Sequence, residues 1–198
     1  MDIRYFLLVY FISFFACAFW GVSYRVARQI KKSPMVLPND DSAFGLVGRY
    51  FKRLMLALFL YVVFTAFVNE PAHYLPVLQW LAYTWIQYLG VALMLFAFGG
   101  VLIAQYQMRD AWRIGIDTET KTKLVTTGLF RFSRNPVFTG MLLSLAGLFL
   151  AKPDIATLFF LLTGYLLIQV QVRLEEAFLA KEHGIVYQQY QLKTRRFL

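Results

Sequence analysis

Residues 137–172 read VFTGMLLSLAGLFLAKPDIATLFFLLTGYLLIQVQV. Two apolar runs, 137–151 and 155–172, are parted only by Lys152, Pro153 and Asp154. A membrane-crossing helix needs about 20 mostly apolar residues, with about 17 near the lower limit. The runs therefore predict two short spans joined as a helical hairpin through a tight proline turn. Working outward, residues 5–24 carry no charge and hold Trp20 near their end. They lack the basic lead and small-residue cleavage site of a signal peptide, so they predict a first span. Residues 54–69 predict a short second span, extended by the snorkelling stem of Arg53. Nothing from 72 to 108 carries a permanent charge, and a third span is expected over 80–104, with Pro76 and Trp80 at its outer edge.

Composition points the same way. Of 198 residues, 59% are apolar and 16% charged, against about 25% charged in soluble domains. With 20 Phe, 12 Tyr and 4 Trp, the apolar content exceeds what one water-exposed core of this size buries. The expected fold is an all-α integral membrane protein of about five transmembrane helices, with three spans in 1–108 and the functional region in 109–198. The net charge of +9 is explained by its placement. Segments 25–53, 105–136 and the tail from 173 hold 18 of the 20 Lys and Arg, leaving only Arg4 and Lys152 opposite. Lys and Arg concentrate in cytoplasmic loops, so the N-terminus is expected outside and the C-terminal half in the cytosol, as in a bacterial inner membrane. No zinc finger, heptad zipper or base-stacking signature accompanies the charge, which argues against nucleic acid.

Few residues carry chemistry. Cys17, the only cysteine, lies in an apolar run and reads as buried and inert, with no disulfide or thiol-metal framework. His73 and His183 fall on opposite sides of the membrane in this topology, so no shared metal site is expected. No catalytic triad and no phosphate-binding glycine loop occurs. Gly140, Ser144 and Gly147 form a small-residue stripe that reads as close helix packing. Two constellations remain. In GLFRFSRNPVFTG, residues 128–140, Pro136 suits a first helical turn and Asn135 suits an N-cap. Those two residues need no further role. Arg131 and Arg134 fit either positive-inside anchoring or an anion held at a helix start. In VRLEEAFLAKEHG, residues 172–184, Glu175 and Glu176 open a helix expected to end at Gly184 and to lie against the membrane face. They read either as a solvated helix start or as carboxylates that accept ribose hydroxyls or pair with a cation.

Taken together, LVTTGLFRFSRNPVFTG and, about 35 residues later, EEAFLAKEHGIVYQQY resemble the isoprenylcysteine carboxyl methyltransferase family, grouped with the phospholipid methyltransferases. The resemblance covers roughly 112–196. It implies S-adenosylmethionine as methyl donor, held at the cytosolic face between the loop before the fourth span and the segment after the fifth. Position by position, it implies cofactor contacts at Thr122, Lys123, Leu124, Val125, Phe130, Asn135, Pro136, Val137, Phe138 and Glu175. Arg134, Arg173 and Glu176 become the candidates for handling the reacting groups. Asn135 stands where the family pattern has His, Phe130 and Phe138 where it has Tyr, and Gln171 where it has a substrate arginine.

The expected function is methyl transfer to a small lipophilic or lipid acceptor entering from the bilayer. A sulfonium methyl is already electrophilic, so the protein needs only to align a nucleophile and exclude water. The competing expectations are a membrane reductase using NADPH on the same face and a non-enzymatic membrane scaffold.

Overall fold

The structure, a computed structural model, describes residues 2–31, 35–36, 40–68, 75–115 and 123–197. Expectations placed on Lys32, Asn69, His73, Lys121 and Thr122 lie outside those residues. The first helix, α1 (Ile3–Phe14), is capped by Asp2, whose carboxylate accepts from Arg4 N at 3.0 Å. It runs without a break through a π-helical segment, Phe15–Gly21, into α2 (Val22–Ile30). Lys31, at φ 56°, ends the run. There follow α3 (Ala43–Phe67), α4 (Thr84–Met108), α5 (Pro136–Ala151), α6 (Ile155–His183) and α7 (Ile185–Lys193). A two-residue parallel pair, β1 (Met35–Val36) with β2 (Ile114–Gly115), ties the segment after α2 to the segment after α4. Four helical stretches are long and apolar enough to cross a membrane, and α5 is a shorter apolar helix. The molecule is an all-α membrane protein.

Span positions shift from those expected in ways the local chemistry explains. The second span begins at Ala43 rather than 54, because Ser42 caps it by accepting from Gly45 N at 3.1 Å. Residues 43–53, which precede the expected span, are therefore helical, and Arg49, Lys52 and Arg53 ride on α3. The third begins at Thr84 rather than 80, because the backbone before it pairs with the hairpin turn: Leu78 N donates to Pro153 O at 2.8 Å and Ile155 N to Pro76 O at 3.2 Å. Trp80 sits in a 3₁₀ turn, Gln79–Leu81. The Glu175–Glu176 pair lies on no separate surface helix. It continues the fifth span within the single 29-residue α6.

The hairpin turn is the polar lock of one end. Asp154 is fully buried and caps α6 by accepting from Thr157 N at 2.9 Å, while Thr157 Oγ1 accepts from Asp154 N at 3.1 Å, a reciprocal capping box. Its second oxygen accepts from Tyr61 Oη at 2.6 Å and Lys152 Nζ at 3.0 Å. Every oxygen of this buried carboxylate is thus answered, as burial demands.

Helices α4 and α5 make the most intimate contact, as the small-residue stripe predicts. A Cβ on Gly90 would fall 2.5 Å from Gly147 O, and one on Gly147 2.8 Å from Gly90 O. One on Gly140 would meet Val101 Cγ2 at 2.4 Å. Ser144 Oγ lies 2.8 Å from Tyr10 Oη, which donates to Met94 O at 3.0 Å. Leu7, Leu58, Met94 and Leu148 fill the shared core with at most 1% exposure. Large apolar side chains such as Val9, Leu60, Phe96 and Leu166 face outward. Cys17 is exposed on the π-helical segment, not buried. In a membrane helix, apolar character does not separate lipid-facing from core-facing positions.

Gly90→Ala and Gly147→Ala should each destabilise the protein by about 1–3 kcal/mol through overpacking. Gly99→Ala and Gly100→Ala, where a Cβ meets nothing within 4 Å, should be neutral or slightly stabilising. Thermal unfolding in detergent, followed by circular dichroism, checks the contrast.

Candidate active site

The collar before α5 is built by backbone constraints. Gly128 has φ 66°, and a Cβ there would strike Gln107 Oε1 at 2.4 Å, so glycine is required twice over. The same Gln107 oxygen accepts from Leu129 N at 2.8 Å. This opens a 3₁₀ turn, Gly128–Arg131, and buries Phe130. Tyr190 of α7 donates to Phe130 O at 2.5 Å. Pro136 takes the first position of α5, as expected. Asn135 precedes it, but its side chain does not cap the helix. Instead Asn135 Nδ2 donates to Glu176 Oε1 and to Arg196 O, each at 3.2 Å.

Glu176 organises this end of the molecule. It is 4% exposed. Arg134 reaches its Oε1 through Nε at 3.0 Å and Nη2 at 2.9 Å. Arg196 reaches its Oε2 through Nε at 2.9 Å and Nη2 at 2.8 Å. Burial disfavours a charged carboxylate, and the paired hydrogen bonds and charges of Arg134 and Arg196 offset that cost. Arg134 also donates to the carbonyls of Gln191, at 3.2 Å, and Thr194. Its backbone N–H donates to Arg195 O at 2.8 Å. The segment 194–196 is thereby strapped across the collar.

Glu175, one residue earlier, is the opposite case. Among the described residues its carboxylate has no hydrogen-bond or ion-pair partner. Burial raises the Tyr190 phenol to about 12.

Two cavities meet here. A small one of about 100 Å³ is lined by Arg113, Lys123, Leu124, Val125, Phe130, Arg134, Asn135, Glu175, Tyr187 and Tyr190, among others. A larger one of about 380 Å³ runs between the π-helical segment, α3, α4 and α5, and its wall is mainly apolar. Phe130, Arg134, Asn135 and Glu175 line both. The larger volume lies within the range of small-molecule sites, about 300–1,000 Å³.

The expected contacts divide accordingly. Lys123, Leu124 and Val125 face only the small cavity, and Pro136, Val137 and Phe138 only the large one. Glu176 lines neither, because both its oxygens are turned into the arginine clamp. Arg173 lines neither: it is exposed and donates to Gln169 O at 2.8 Å and to Gln169 Oε1 at 2.5 Å. Gln171 does line the large cavity, and two further positions turn a helical side chain by about 200°. Thr122 is outside the described residues. Sequence reasoning missed the contributions of Phe14, Phe15 and Phe51 to the large cavity, of Tyr187 and Tyr190 to the small one, and of Arg196 to the clamp. It also missed Gln105, although a buried amide in an apolar span is itself a signal.

The two glutamates should respond oppositely to substitution. Glu175 has no partner among the described residues to lose, so Glu175→Gln should not destabilise the protein and should gain stability by relieving the like charge of Glu176. Glu176→Gln should destabilise by about 3–5 kcal/mol, since it removes the charge that pairs with both arginines. Thermal unfolding of both variants in detergent checks the signs.

Comparison with known proteins identifies the family. Searches of curated proteins and of solved structures each returned no match. The family profile described as phospholipid methyltransferase matches residues 85–185, just over half of the 198-residue chain. The match takes in nearly all of α4 as well as the collar, the hairpin and α6. It thus reaches further toward the N-terminus than the resemblance over 112–196. The α4–α5 glycine contact explains why α4 belongs to the unit. The chain belongs to the phospholipid methyltransferase family and is a membrane methyltransferase.

Proposed function

We propose that the protein uses S-adenosylmethionine to methylate a lipophilic acceptor drawn from the bilayer. The observation that carries this reading is the meeting of a small cavity, walled partly by charged side chains such as Lys123 and Arg113, with a larger and mainly apolar one at Glu175, Asn135, Arg134 and Phe130. A charged donor and a greasy acceptor need two such chambers sharing one wall.

The residues present fit the donor. The unpartnered Glu175 carboxylate would accept from its hydroxyl or ammonium groups, and Phe130 offers an aromatic face for its base. Lys123, Leu124 and Val125 supply one side of the chamber, and Asn135 is held in place by Glu176. When bound, S-adenosylmethionine supplies an electrophilic methyl group, so no covalent nucleophile is required of the protein. Pro136, Val137 and Phe138 belong to the acceptor side. Arg134 and Glu176 act by positioning the collar against α6, and Arg173 takes no part. Residues 1–108 then supply most of the acceptor wall and residues 109–198 most of the donor wall. The concentration of Lys and Arg at the end carrying the cavities favours a cytosolic donor site, with the N-terminus outside.

Isothermal titration of the detergent-purified protein with S-adenosylmethionine, or with its demethylated product, should show saturable binding. Glu175→Gln should weaken it by at least about tenfold, the worth of a hydrogen bond to a charged group. Lys181→Ala, on an exposed position of α6, should leave it unchanged. Absence of binding at millimolar ligand, or binding of NADPH in its place, overturns the reading.

A further inference from the structure

One residue of the large cavity's wall carries a fully buried polar atom that nothing in the described protein satisfies. Gln105, near the end of α4, is 3% exposed. Its Nε2 donates to Ala18 O at 2.8 Å, which fixes the orientation of the amide. Its Oε1 is then the acceptor, and it is buried with no hydrogen-bond partner among the described residues. Gln105 and Ala18 both line the large cavity, along with Phe14, Phe15, Trp20 and Trp112.

A buried amide oxygen without a donor is costly, because it gives up water and receives nothing. Asp154, by contrast, is answered by three donors and Tyr10 by Ser144 and Met94; among the described residues Ser23 Oγ and His183 Nε2 are the other buried side-chain atoms without a partner, and neither residue lines the large cavity. Gln105 is also placed by an unusual element. Ala18 belongs to the π-helical segment Phe15–Gly21, and such segments are frequent at functional sites. The bond to Ala18 O accounts for Nε2, but it leaves Oε1, the other half of the amide, without a structural use.

We propose that Gln105 is a specificity-determining residue of the large cavity, its Oε1 accepting a hydrogen bond from the O–H or N–H of an otherwise apolar ligand. Resting on the reading of that cavity as the acceptor chamber, this makes the methyl acceptor a lipophilic molecule whose polar end carries a hydrogen-bond donor. The chamber discriminates against the same hydrocarbon with that proton replaced by an alkyl group. The methylated product of such an acceptor has lost a donor, so it also binds Gln105 less well than the substrate does.

The test uses 1-dodecanol and its methyl ether as matched probes. Binding to the full chain in detergent is read by intrinsic fluorescence, since Trp20 and Trp112 line the cavity. No methyl donor is present, so the outcome is independent of cofactor binding. The wild-type protein should bind the alcohol about tenfold more tightly than the ether. Gln105→Met should lose that preference through weaker alcohol binding, with ether binding unchanged. Alcohol and ether binding alike in the wild type, or neither binding, overturns the proposal, the former because an internal water would then serve Oε1. A preference retained in Gln105→Met overturns it too. Should the methionine variant fail to fold, the wild-type comparison decides alone.

Discussion

A carboxylate buried at the end of a membrane helix keeps its charge only where cations and hydrogen-bond donors answer it. Glu176 is answered by two, Arg134 and Arg196, and they come from opposite directions along the chain. One is in the collar that starts α5 and the other in the strap that follows α7. Both oxygens are occupied, so neither α6, the collar nor the strap can move without exposing a charge. The position of Asn135, the wall formed by Phe130 and the course of residues 194–196 all follow from this clamp. Its partner in sequence, Glu175, is left free by the same geometry, because the arginines converge on only one face of α6.

The opposite end of the bundle is held by a second buried carboxylate, Asp154, and the middle by backbone contact between Gly90 and Gly147. The three devices divide the work. The cap at Asp154 sets the angle of the hairpin, the glycines set the spacing of α4 and α5, and the clamp sets the register of α6 against the collar. With those fixed, α1 and α3 pack only along one side, leaving the apolar cavity between them and α5.

Much of this was readable in the chain, and the limits are instructive. The spans were legible because an apolar run of sufficient length has few alternatives, and the Gly140–Gly147 stripe because small residues in a span have one common use. Helix ends were less legible. The start of α3 depends on Ser42 as a cap, and that of α4 on backbone pairing with a turn some 75 residues away. The site was legible as a place but not in its roles. Adjacent glutamates look alike in sequence, and only the approach of Arg196 distinguishes a clamped residue from a free one. Asn135, an unremarkable N-cap by local reading, instead donates through Nδ2 to Glu176 and to Arg196 O, partners some 41 and 61 residues away that no local pattern reveals. The phenylalanines of α1 and the π-helical segment could not be assigned to a cavity, since lipid-facing and ligand-facing aromatic residues are written with the same letters.

The strap over residues 194–196 also concentrates the hold on the collar in a very short stretch of chain. Arg196 lies 13 residues beyond the end of α6 and supplies both the second cation of Glu176, through its side chain, and an acceptor for Asn135 Nδ2, through its carbonyl. The carbonyls of Thr194 and Arg195 meet Arg134. Three successive residues thus make the collar a dependent of the chain's last turn, and a cut after α7 would release it in one step while leaving every span intact.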